Sequence, residues 1–101
     1  MSDQLEPAEY RRLARARVTD LAARLDAEGG RARFAEALDL VGELGRAIDS
    51  FHMEAIRFRM FTLERRFGNG EIPASEEARA ILDDVKHALE AAGFHTRSIP
   101  H

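Results

Sequence analysis

From Phe34 to Phe67 the chain reads FAEALDLVGELGRAIDSFHMEAIRFRMFTLERRF, without a proline and with five of the chain's six phenylalanines inside it. Apolar residues return every three or four positions through this stretch, the spacing of one helical face, and no residue in it removes a backbone donor. The pattern predicts a helix over about 32–67, roughly 50 Å long if unbroken at 1.5 Å per residue. In a chain of 101 residues, the other segments are then left to cover that helix.

Phe34, Leu38, Val41, Leu44, Ile48, Ala55, Ile56 and Leu63 form its main apolar stripe, with Glu36, Asp39, Glu43, Arg46, Glu54 and Arg57 opposite. Gly42 and Gly45 lie within it, each costing about 1 kcal/mol relative to alanine in a helix interior. They imply either a close approach by another helix, the favoured reading, or a bend. In the second half Phe51, Met53, Phe58, Met60, Phe61 and Phe67 add apolar surface beyond the stripe. A helix that is apolar nearly all round is buried on several sides, and one chain supplies few elements to bury it. These six residues are therefore the expected oligomer interface.

Two shorter helices flank the long one. Pro7 fits a first turn, and Tyr10, Leu13, Ala14, Val18, Leu21 and Leu25 recur at helical spacing, predicting a helix over about 7–28 that ends at Gly29-Gly30. After Gly68-Asn69-Gly70, Ser75 is placed to cap a helix over about 75–92 with Glu76 and Glu77 in its first turn, and Gly93-Phe94 to close it with Phe94 folded onto Leu89. Residues 94–101 read as a short extended tail. The expected architecture is a single all-α domain, a three-helix antiparallel bundle with a long central helix, assembled into a dimeric or higher multi-helix bundle.

Charge and composition narrow the function classes. With 15 Lys+Arg against 18 Asp+Glu and a net charge of −3, the chain has no bulk electrostatic hold on nucleic acid. It has no cysteine, which excludes disulfides, thiolate metal sites and thiol nucleophiles. No segment approaches the run of about 18 apolar residues that a membrane span needs, and the N-terminal residues lack an apolar signal core, so a cytoplasmic soluble protein is expected. No GxSxG, phosphate-binding glycine loop or HExxH occurs; neither catalysis nor a cofactor is expected.

One polar constellation stands out. His52 falls near the centre of the apolar stripe of the long helix, with Asp49 one turn earlier at its edge. A buried histidine has a partner, so His52 and Asp49 are candidate metal ligands, or a base and its orienter, in the bundle interior; a histidine hydrogen-bonded within the core or interface is the favoured alternative. A second Asp-x-x-His, Asp84 to His87, lies on the polar face of the last helix and does not complete a di-metal pattern. Met53 and Met60 beside His52 fit packing among phenylalanines better than haem or copper ligation.

In layout, the segment from Tyr10 to Ala92 resembles the small all-helical metal- and formaldehyde-responsive repressors, with a basic first helix and a long second helix, and AIDSF at 47–51 is similar to the mid-helix sequence of some members. The resemblance implies dimers or tetramers that bind DNA through Arg11, Arg12 and Arg15. Phe34 stands nearest the family's sensing cysteine, and Arg59 and Leu63 stand where later ligands are expected, so the sensing chemistry would be absent or different. From the residues alone, the arginines read as a solvated face paired with acidic neighbours. The leading expectation is a non-enzymatic homo-oligomer that binds itself and another protein as an adaptor or regulator.

Overall fold

The computed structural model of the protein describes residues 6–94, and among them the chain forms four α-helices and no strand: α1 (Pro7–Ala27), α2 (Gly30–Asp49), α3 (Met53–Gly68) and α4 (Glu76–Ala91). Each helix packs on its neighbours in a ring, α1 between α2 and α4, and α3 between α2 and α4, with the α3–α4 contact the sparsest. Short connections at 28–29, 50–52 and 69–75 turn the chain back on itself, and the cross-links accord with this. Arg15 reaches Asp49, Glu43 reaches Arg59, and Lys86 reaches Glu64, while Ser75 at the start of α4 donates to Glu28 at the end of α1. Neighbouring helices therefore run antiparallel, up-down-up-down, around one core. None of the described helices is long and apolar enough to cross a membrane.

Local chemistry explains the helix ends. Pro7 occupies the first turn of α1, where a missing N–H is harmless, and the Glu6 N–H donates to Glu9 Oε1 at 3.4 Å. Gly29 turns the chain into α2 with φ 146°, and a Cβ there would lie 2.7 Å from that of Arg33, so the turn requires glycine. Phe34 interrupts the first turns of α2 with φ −125° and ψ 33°, a kink that leaves its ring 3% exposed. Ser75 Oγ accepts from the Ala78 N–H at 3.1 Å to open α4. At its other end Phe94 N–H bonds Leu89 O and Gly93 N–H bonds Glu90 O, the two-bond closure that the Gly93-Phe94 pair predicts.

The long central helix is corrected: residues 50–52 divide it into α2 and α3, and the bundle has four helices rather than three. The break is a complete helix ending. Phe51 N–H bonds Ile48 O at 3.2 Å and His52 N–H bonds Ala47 O at 3.1 Å, the same two-bond motif that closes α4. It places Phe51 at φ 56°, the one positive φ of a non-glycine residue among those described. The sequence hides this ending because the position that is usually glycine is phenylalanine. Neither Gly42 nor Gly45, for which a bend is the alternative to a close helix approach, breaks α2.

The fourth helix changes how the core is filled. Ala14, Val18, Leu21 and Leu25 of α1 meet Val41, Leu44 and Ile48 of α2, Ile56, Met60, Leu63 and Phe67 of α3, and Leu82, Val85 and Leu89 of α4 in one cluster. Burying a side chain of this size contributes about 1.5–3 kcal/mol. Because α3 folds back on α2, the chain covers its own α3 core face, and no second copy is required to bury Met60 or Phe67.

Candidate interaction surface

The corner between α2 and α3 brings together the residues singled out by the sequence, but not as a buried site. His52 is exposed and forms the N-cap of α3, its Nδ1 accepting from the Ala55 N–H at 3.1 Å. This corrects its expected place at the centre of the apolar stripe: the chain leaves the helix at Ser50, so the wheel that placed His52 inward does not continue through it. Asp49 is exposed as well, and both its oxygens accept from Arg15 Nε at 3.1 Å. Histidine and aspartate thus serve separate partners, a helix end and a guanidinium. Among the described residues no group of three or more His, Cys, Asp or Glu side chains is placed to hold a metal ion.

The three arginines of α1 divide in the same way. Arg11 lays its guanidinium over the Phe51 ring, 4.1 Å from the centroid, a geometry in which the ring face attracts the cation. Arg15 lies against α2 at Gly45, where a Cβ would come within 2.9 Å of its guanidinium carbon. The glycine therefore makes room for a side chain crossing to Asp49 rather than for a helix backbone. Arg12 is exposed. Two of the three arginines on the face assigned to DNA are thus held by contacts within the chain. Asp84 and His87 stand on the surface of α4, with His87 Nδ1 3.3 Å from Asp83 and Asp84 4.0 Å from Arg17.

The six residues expected at the oligomer interface separate into two faces of α3 and its approach. Met60 is fully buried and Phe67 is 3% exposed, so these two are corrected to the chain's own core. Phe51 at 61%, Phe58 at 58%, Phe61 at 45% and Met53 at 39% exposed are left outside it. Phe58 and Phe61 are one helical turn apart and point away from the buried line Ile56, Met60, Leu63 and Phe67. Thr62 lies between the two lines and is buried, its hydroxyl satisfied by donating to Phe58 O at 2.9 Å.

Charges around α3 follow the same division. Those on the flanks are tied to neighbouring helices or to the connection after α3: Arg59 to Glu43 at 2.9 Å, Glu64 to Lys86 at 3.3 Å, and Arg66 to Glu36 and to Glu71 in that connection. Glu54, Arg57 and Arg65 on the outward face have no ion-pair partner among the described residues; Arg65 instead lies over the Phe61 ring at 5.8 Å. Sequence reasoning missed Glu54 and Arg65 as part of the surface. Their signal was available in the spacing, since they extend Phe58 and Phe61 by one helical turn in each direction.

No protein-family model, curated protein or solved structure matches the chain, and the layout resemblance to the helical repressors gains no support from them.

Proposed function

We propose that the protein is a non-enzymatic, cytoplasmic helical interaction module that self-associates through the outward face of α3 and serves as an adaptor or regulator. The observation that carries this reading is the exposure of Phe58 and Phe61 one turn apart on the outward face of α3, with Met53 and Phe51 also exposed at and just before its start. An isolated exposed apolar residue needs no explanation, but large apolar side chains grouped on one surface are costly to leave in water and mark contact surfaces. The argument for association differs from the one that periodicity suggests. A second copy is not needed to complete the fold; it would cover a surface that the completed fold leaves bare.

Sedimentation equilibrium across the micromolar range tests the reading. Self-association that rises with concentration and is lost in Phe58→Asp supports it, because a carboxylate buried without a partner is costly. Wild-type protein that stays monomeric throughout that range refutes it. DNA binding through Arg11, Arg12 and Arg15 is the competing reading, and it predicts salt-sensitive retention on duplex DNA that falls when Arg12 is neutralised.

A further inference from the structure

The outward face of α3 carries a self-complementary order of residues. Glu54, Phe58, Phe61 and Arg65 follow at spacings of four, three and four, the repeat that keeps side chains on one line of a helix. Reversing α3 about a point between Arg59 and Met60 places Glu54 on Arg65 and Phe58 on Phe61. The same line read backwards therefore presents an acid where the forward line presents a base, and a phenylalanine where it presents a phenylalanine.

We propose that a second copy of this chain covers that line, the two α3 helices packing antiparallel about a two-fold axis with Glu54 of each against Arg65 of the other and Phe58 against Phe61. This deepens the self-association proposed above and rests on it. A two-fold contact is isologous, so each pairing occurs twice; a residue order that matches its own reverse in both charge and size is what such a contact requires. Parallel packing would set Glu54 beside Glu54 and Arg65 beside Arg65. Within the chain neither charge has an ion-pair partner among the described residues, whereas Arg59, Glu64 and Arg66 on the flanks are all engaged. Neither of the two charges that the proposed pairing uses is held in an ion pair; Arg65 rests over the Phe61 ring at 5.8 Å.

The surface is modest. α3 has 16 residues, about 24 Å of helix, and the line along it offers two phenylalanines. Interfaces burying less than about 1,200 Å² fall in the weak, transient class, so dissociation in the micromolar range is expected rather than a permanent dimer.

Charge reversal distinguishes this register from other ways of covering the face. E54R alone sets like charges at both pairings of its homodimer, as does R65E alone, and each is expected to weaken self-association by about tenfold or more. An equimolar mixture of the two variants restores both pairings, because the introduced arginine of one chain meets the introduced glutamate of the other, and the original Glu54 and Arg65 also meet. Sedimentation equilibrium of each variant and of the mixture, with circular dichroism to establish that both fold, reads the effect. Weakened single variants with a mixture as strong as wild type support the antiparallel pairing. Wild-type association that both reversals leave unchanged, or a mixture as weak as its components, overturns the pairing while leaving self-association standing. Monomeric wild type overturns both.

Discussion

Replacing Phe51 by alanine and by glycine asks whether the central helix is broken, and the two outcomes differ in sign. Both substitutions remove the ring and its contact with Arg11, so that loss cancels in the comparison. What remains is the backbone. With φ at 56°, an alanine carries the left-handed penalty of about 1–2 kcal/mol that glycine escapes; the greater freedom of glycine in the unfolded chain returns about 0.4–1 kcal/mol of this. F51G is therefore expected to be more stable than F51A by about 0.5–1 kcal/mol. In an uninterrupted helix the order reverses, with alanine ahead by about 1 kcal/mol. The readings are thus separated by about 1.5–2 kcal/mol, well above the error of a comparison at constant m. Urea denaturation followed by circular dichroism, at one dilute protein concentration so that association does not contribute, gives the difference directly. An F51A variant as stable as F51G or more so would refute the chain reversal at residues 50–52.

The two faces of α3 predict different responses to truncation. Met60 is fully buried, so M60A is expected to lose about 2–5 kcal/mol, while F58A, removing a side chain 58% exposed, should stay within about 1 kcal/mol in dilute solution; urea midpoints compare them, and similar losses would contradict the division. Ser75→Ala removes both the cap on the Ala78 N–H and the hydroxyl contact with Glu28, with an expected cost of about 1–2 kcal/mol that Ser75→Thr, which keeps a hydroxyl donor, should partly recover. Gly45→Ala sets a helix-propensity gain of about 1 kcal/mol against displacement of the Arg15 guanidinium. In an R15A background the displacement vanishes and the gain should appear in full. A double-mutant cycle on thermal midpoints measures the difference, and additive effects would refute the contact.

Most of the fold is legible because most helix ends carry side-chain or glycine signals. Pro7, Gly29, Ser75 and Gly93 each stand at an observed boundary or within its turn. The ending at residues 50–52 is different, since its stabilising bonds are made by the backbone of Phe51 and His52 and leave no required side chain. Apolar periodicity also runs across it, with Ile48 and Ile56 both fully buried on either side. Asp49 and Ser50, residue types that compete with helical hydrogen bonding, are the one hint of it in the sequence. A histidine cap was less legible still, because Ser, Thr, Asp and Asn dominate that role. The misplacement of His52 follows from the missed ending, as does the search for a buried partner.

The all-round apolar character of α3 resolves into two lines with the same spacing. Ile56, Met60, Leu63 and Phe67 run at intervals of four, three and four, and Glu54, Phe58, Phe61 and Arg65 repeat those intervals two residues earlier. Two residues turn a helix by about 200°, so the lines lie on opposite faces, and Met60 and Phe67, expected outside the main stripe with Phe58 and Phe61, belong to the inner line with Ile56 and Leu63. The two lines differ at their ends. The inner line is apolar throughout, as a permanently dry face must be when an unpaired charge is costly to bury. The outer line ends in opposite charges, Glu54 and Arg65, neither of them in an ion pair among the described residues. Under the proposed pairing, the same spacing that builds the core inside the chain is used once more outside it, with the terminal charges setting direction and holding the contact weak enough to be reversible.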